Sequence, residues 1–237
     1  KPVLDIIKET LPNTFILALS SIIIATFFGI SFGIISALNK KNITDKLLQF
    51  ICTLGMSMPS FFSAILFSWF FGFVLSEYTN LNMTGSLYEL DDYGEAEEVK
   101  IKNLILPAFV LGIRPLSVIV QLMRTSLLDT LNQEYIRTAK AKGLSMFKII
   151  YYHSLKNSLN PVITILSGWF ASLLAGSIFV EYIFGWNGLG KEIIFALNHM
   201  DIPVIMGSTL IIAFLFIIIN ILVDISHLYL DPRIKYY

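Results

Sequence analysis

Residues 185–191, GWNGLGK, satisfy G-x-x-x-x-G-K, the spacing with which a Gly-rich turn and a Lys cradle a nucleotide phosphate. Glu192 follows where that chemistry needs a Ser or Thr hydroxyl for magnesium, and no strand pattern precedes the turn. The stretch reads instead as a Gly-rich turn with interfacial aromatics, Tyr182 and Trp186. His153, His199 and His227 lie in separate segments without an H-E-x-x-H pair, so a membrane metalloprotease is excluded. The serines suggest no activated nucleophile. Glu77, Glu89, Asp91, Asp92, Glu95, Glu97 and Glu98 crowd into residues 77–103, but EF-hand spacing is absent, and they read as a solvated acidic loop. A single cysteine, Cys52, excludes an internal disulfide and a cysteine zinc cluster; among apolar neighbours it reads as core filler. No catalytic constellation and no cofactor or metal site emerge, and the chain reads as a non-enzyme.

The elements that hold these residues are apolar. Of 237 residues, 55% are hydrophobic and only 14% charged, little more than half the share of an ordinary soluble domain. Five runs are long enough to cross a bilayer, at about 14–38, 47–75, 104–122, 161–184 and 203–226. The fold class is therefore an all-α integral membrane protein with a single domain over residues 1–237. Gly29 and Gly33 form a small-xxx-small pair in the first run, which lets a neighbouring helix approach closely. Pro59 should bend the second run. Arg114, near the middle of the third, must face the bundle or water, because a charge at that depth is costly in lipid. The fourth run, rich in Ser, Gly and Ala from Ser167 to Ser177, is a close-packing helix, with Glu181 near its outer end. Asn220 and Asp224, four apart on the fifth, share a face toward neighbouring helices. Arg114, Glu181, Asn220 and Asp224 are thus the candidate pathway or intramembrane polar residues.

Between the third and fourth runs lies the loop 123–160, whose centre is the most distinctive polar stretch of the chain. Arg137, Lys140, Lys142, Lys148 and Lys156 outnumber Glu134 from residue 133 to 160. Glu134 to Lys142 favours a helix, Gly143 supplies its C-cap, and a segment with Met146, Phe147, Ile149, Ile150 and Leu155 on one face follows. A branched side chain at Gly143 is expected to clash at the turn or distort the cap. Basic residues in loops 39–46 and 121–160 place both on the cytoplasmic side, with 77–103 outside and the tail bearing Arg233 and Lys235 inside.

The residues Arg137-Thr138-Ala139, then three residues, then Gly143 resemble the EAA loop of ATP-binding-cassette (ABC) importer permeases. YIRTAKAKGLS with HSLKNSLNPVIT is similar to the B-type permease subunit of the oligopeptide, dipeptide and nickel importer family. Further blocks resemble the same family: LPNTFILAL, KNLILPAFVLGI, VEYIFGWNGLG and LDPRIKY. Arg137 replaces the Glu of the general EAA pattern, and Lys156 stands where the C-type partner has Pro; both are usual in B-type subunits.

The resemblance implies a type I ABC importer transmembrane domain in a bacterial cytoplasmic membrane, conducting peptides and hydrolysing no ATP itself. It implies a heterodimer with a C-type permease, two cytoplasmic ABC ATPase subunits, an extracytoplasmic solute-binding protein and no nucleic acid. Glu134, Arg137, Thr138, Ala139, Gly143 and Leu155 would form the ATPase-coupling loop. The acidic segment looks like an insertion between family blocks. Alternation of five spans puts residues 1–13 outside, so a first family span is expected to precede Lys1. Two other functions compete: a nickel permease of the same family, with His199-Met200-Asp201 offering ligands, and an ATPase-independent secondary transporter using Arg114 and Glu181.

Overall fold

A computed structural model of the chain describes residues 1–90 and 97–230. Within that range the chain is helical apart from one short hairpin. In order come α1 (Val3–Leu38), α2 (Ile43–Ser57), α3 (Ser60–Trp69) running into a π-helical turn (Phe70–Val74), and α4 (Ser76–Thr79). Next are β1 (Tyr88–Leu90) and β2 (Glu97–Val99), paired antiparallel with Tyr88 opposite Val99. Then follow α5 (Lys102–Leu131), α6 (Glu134–Ala141) and α7 (Met146–Lys148), which passes through a π-helical stretch (Ile149–Ser154) into α8 (Leu155–Gly176). The described chain closes with α9 (Ile178–Phe184), α10 (Leu189–Asn198) and α11 (Ile202–Leu230).

Four of these segments are long and apolar enough to cross a membrane: Val3–Leu38, Lys102–Leu131, Met146–Gly176 and Ile202–Val223. A fifth arises if Ile43–Ser57 and Ser60–Val74 count as one span bent by 113°. The sequence places Pro59 inside a continuous run from 47 to 75; the structure breaks that run in two. Pro59 has extended backbone angles (φ −61°, ψ 142°) and precedes the first turn of α3, where a missing N–H costs nothing.

Helix ends also differ from those read off hydropathy. α1 begins at Val3 rather than Thr14, because Lys8 and Glu9 are exposed while Ile7, Thr10 and Thr14 are buried. α5 continues through Leu131, so the segment from 123 to 131 is helical, and the non-membrane connector contracts toward 132–145. The helix expected from Pro161 begins instead at Met146 and ends at Gly176, with Glu181 on the separate α9.

Two compact units make up the chain: residues 22–57 with 113–167, and residues 1–21, 58–112 and 168 onward. In the first, Ala25, Ala37, Ile119, Met123, Leu127 and Val162 form a core from α1, α5 and α8. The close approach that the Gly29–Gly33 spacing implies is present. A Cβ on Gly29 would sit 2.7 Å from Ile119 Cγ2, and one on Gly33 2.6 Å from Met123 Cβ. In the second unit α3 packs on α9, with Phe61 and Phe179 ring centroids 6.3 Å apart, and α10 packs on α9 and α11.

Candidate functional site

The basic segment forms a short helix, α6, of which only one side is covered. Ile136 and Ala139, three apart, are buried with Ile149 in a small cluster that Leu131 and Leu144 complete. Glu134, Arg137, Thr138, Lys140 and Lys142 are exposed on the rest of its circumference. Glu134 in the first turn and Lys140 in the last complement the helix dipole.

Gly143 ends α6 in a Schellman arrangement. Its φ is +78°, its N–H donates to the Lys140 carbonyl at 2.9 Å, and Leu144 N–H reaches the Ala139 carbonyl at 3.4 Å. A Cβ built there meets nothing within 4 Å, so the expected clash is absent. The demand for Gly comes from the left-handed backbone alone.

One side-chain contact reaches from α6 to α8, and a second joins α8 to α5. Asn157 Nδ2 donates to Tyr135 Oη at 3.0 Å, and Ser158 Oγ donates to Thr130 Oγ1 at 3.1 Å. Tyr135 lies on α6, Thr130 on α5 and both Asn157 and Ser158 on α8, so α6 is bonded to α8 and the two helices that it connects are bonded to each other. Of the residues expected at a coupling loop, Glu134, Arg137, Thr138 and Gly143 lie on the exposed surface. Ala139 is buried and seats the helix instead. Leu155 packs into the α1–α5–α8 core rather than on the α6 surface. Phe147 and Tyr151 are exposed, stacked with centroids 6.1 Å apart, so the second segment buries only part of its apolar face.

Asp45 and Arg124 form a fork that sequence reading missed. Arg124 Nε donates to Asp45 Oδ1 at 2.7 Å and Nη2 to Oδ2 at 2.8 Å. Ser36 Oγ adds a bond to Oδ1 at 2.6 Å and Lys41 N–H one to Oδ2 at 3.0 Å. Each residue alone looked like an ordinary loop charge. The available signal was that Arg124 continues the helical pattern of α5 beyond Leu122.

The GWNGLGK loop wraps a carboxyl group, and that group belongs to the chain itself. Glu181 is fully buried, and its carboxylate accepts from Gly190 N–H at 2.7 Å and Ser177 Oγ at 2.7 Å. Leu189 N–H donates to Thr14 Oγ1 at 2.8 Å, so the free donors that open α10 are met by side chains. A Cβ on Gly188 would lie 2.7 Å from Thr14 Oγ1, and one on Gly190 2.5 Å from Ile178 Cα. Trp186, expected at an interface, is fully buried and donates through Nε1 to the Asn13 carbonyl at 3.0 Å. Glu181 is therefore satisfied as the cap of α10.

The remaining polar positions divide. Arg114 is exposed and has no hydrogen bond or ion pair among the described residues. Asn220 donates to Phe216 O on its own helix at 2.9 Å, not to a neighbouring one. Asp224 lies on α11, with its side chain outside the described residues; Arg233 and Lys235 fall outside them as well. His199 contacts the Phe195 carbonyl through Nδ1 at 2.8 Å, and Asp201 Oδ1 accepts from Val204 N–H at 3.3 Å in the first turn of α11. No group of three or more metal-ligating side chains occurs among the described residues. Gly29-Ile30-Ser31-Phe32-Gly33 has G-x-S-x-G spacing that the sequence reading passed over. It lies inside α1, where Ser31 Oγ donates to Phe27 O at 2.7 Å, so it forms no nucleophile elbow.

Several helices long and apolar enough to cross a membrane, with a short helix whose basic side is exposed, define a multi-span membrane protein. The chain belongs to the binding-protein-dependent transport system inner membrane component family, whose model matches residues 29–236. It is 37% identical to the dipeptide transport system permease protein DppB of Alkalihalophilus pseudofirmus, covering 100% of this chain and 75% of that one. It is 38% identical to DppB of Bacillus subtilis, over 98% of this chain and 70% of the relative. With the oligopeptide transport system permease protein AppB of the same organism it shares 38% identity, over 99% and 73%. A crystal structure of an amino acid ABC transporter with histidines superposes with a TM-score of 0.67 at 12% identity, covering 97% of this chain and 94% of that chain. The fold is thus that of an ABC importer transmembrane domain.

Proposed function

We propose that this chain is the peptide-conducting permease subunit of an ABC importer, with α6 as the element that engages a cytoplasmic ATPase. The observation that carries the coupling role is the seating of α6. Ile136 and Ala139 hold it to the chain while Arg137, Thr138, Lys140 and Lys142 stay free for a partner. The cargo is taken from the dipeptide and oligopeptide permeases that the chain resembles over nearly its whole length. A C-type permease completes the pathway, two ATPase subunits drive it, and an extracytoplasmic binding protein delivers solute. The α6 side and the C-terminus are cytoplasmic, since the basic loops cluster there.

In operation, closure of the ATPase dimer pushes on α6. The Tyr135–Asn157 contact passes that displacement to α8, and the Ser158–Thr130 contact links α8 to α5. Rigid-body movement of helices then opens the pathway alternately to either side. Charge reversal at two exposed positions, Arg137→Glu with Lys140→Glu, tests this. ATPase copurification and dipeptide uptake should both fall by about tenfold or more, because like charges placed across an interface repel. Parental copurification and uptake would overturn the reading.

A further inference from the structure

A polar stripe runs down one side of α5, away from the side that the helix buries. Ile119, Met123 and Leu127 are fully buried in the core against α1 and α8. Arg114, Gln121, Thr125 and Asp129 follow one another at spacings of seven, four and four, and Val118 is the apolar residue between the first two. At 100° per residue all five fall within an arc of about 80° and extend about 22 Å along the helix. Arg114, Thr125 and Asp129 are exposed, while Val118 and Gln121 are half-buried. Thr125 bonds its own helix through the Gln121 carbonyl at 2.9 Å. The side chains of Arg114, Gln121 and Asp129 have no partner among the described residues.

Arg114 and Gln121, which lie within the hydrocarbon depth, cannot face lipid, and Thr125 and Asp129 continue the stripe beyond it toward the α6 end. A charged side chain in mid-span is costly in hydrocarbon, and Gln121 adds unsatisfied donors and acceptors to that. Water satisfies all of these groups at once, whereas a packed helix would need a matching set of polar groups at several successive depths. Arg114 lies twelve residues, or about 18 Å, into α5 from Lys102, near the middle of a hydrocarbon core about 30 Å thick. A guanidinium there presents a fixed fork of donors, and a carboxylate matches such a fork in two parallel hydrogen bonds. Every linear peptide with a free C-terminus carries one.

We propose that the Arg114-to-Asp129 face of α5 lines the water-filled pathway, and that Arg114 receives the terminal carboxylate of the transported peptide. This rests on the permease reading above and adds to it a surface and a ligand group. The carboxylate gains a charge-assisted bond at mid-membrane, and Gln121 and Thr125 offer exchangeable hydrogen bonds toward the cytoplasmic end. Val118, one turn from Arg114, gives the peptide's apolar side chains a neutral wall. Arg114 offsets the negative charge of the peptide's terminal carboxylate at that depth.

The test uses the assembled transporter with single substitutions Val118→Cys, Gln121→Cys and Thr125→Cys, labelled by a water-soluble thiol reagent. Native Cys52 is buried and serves as the unlabelled background. All three positions should label, and a dipeptide with a free carboxylate should slow labelling at 118 and 121. The same dipeptide carrying a C-terminal amide should protect about tenfold less well, the factor expected for one charge-assisted hydrogen bond. Arg114→Gln should abolish the difference between acid and amide, and Arg114→Lys should restore part of it. Failure of the 118 and 121 cysteines to label in the complex, whatever the result at 125, would show the stripe covered by a neighbouring subunit and overturn the proposal. Equal protection by acid and amide would overturn the carboxylate assignment. Either failure leaves ATPase copurification intact, so it is distinguishable from failure of the permease reading.

Discussion

Arg124 and Asp45 are joined through two parallel bonds of 2.7 and 2.8 Å, fastening α5 to the first turn of α2. Asp45 is 3% exposed, and Ser36 and Lys41 occupy the remaining acceptor positions of its carboxylate. Removing one partner strands the other charge in a site shaped for a pair. Arg124→Leu is therefore expected to cost about 3 kcal/mol, and the double change with Asp45→Leu markedly less than the sum of the two single changes. Thermal unfolding of the detergent-solubilised complex measures this. Additive losses would mean that the fork contributes no coupling.

The loop around Glu181 gives a second prediction. Gly190→Ala places a methyl 2.5 Å from the Ile178 backbone, which cannot move aside as a flexible side chain would. It should destabilise the protein by about 1–3 kcal/mol as an overpacking change, measured by the same melt. Gly168→Ala, inside α8 where a Cβ meets nothing within 4 Å, should not lower the isolated subunit's melting temperature.

At Gly143 the two causes of a glycine requirement separate. Space is open, so size is tolerated, but the +78° backbone disfavours a branched Cβ. Gly143→Asn should keep most uptake, whereas Gly143→Val should cost about 1–2 kcal/mol in cap geometry and lose ATPase coupling with membrane insertion intact. Equal uptake by the two variants would contradict this.

Ile136 seats α6, and truncating it should loosen the helix without touching its exposed charges. Ile136→Ala is expected to cost about 2–4 kcal/mol locally, as buried Ile-to-Ala changes do. Dipeptide uptake should fall while total membrane expression stays near the parental level. Unimpaired uptake would show that the seat is not needed for coupling.

Much of this architecture is legible in the residues. The Gly29–Gly33 pair announces the close packing of α1 on α5, and Gly143 announces the end of α6. The family blocks, spread from Leu11 to Tyr236, indicate the importer fold and a permease role. What escaped depends on long-range pairing. Arg124 looks like a loop charge until Asp45, 79 residues away, is beside it, on an α5 that continues through Leu131. GWNGLGK looks like a poor phosphate loop because the carboxyl group that it holds, Glu181, precedes it on another helix. Pro59 announced a bend but not a complete break, since a proline is equally at home inside a kink and at a helix start. The residues of the α5 stripe straddle the boundary that hydropathy sets at Leu122, so they line up only on a helix that runs past it.

The coupling role of α6 is the central claim, and proximity to the ATPase tests it most directly. Thr138→Cys lies on the exposed side of α6, beside Arg137 and Lys140. A short bifunctional thiol reagent applied to the assembled complex should join it to an ATPase subunit bearing a cysteine in its docking groove. ATP should change the yield as the ATPase dimer closes. A Cys placed at Ile65, exposed on α3, should give no such product. If Thr138→Cys also gives none while the complex remains intact by copurification, α6 is not the docking element.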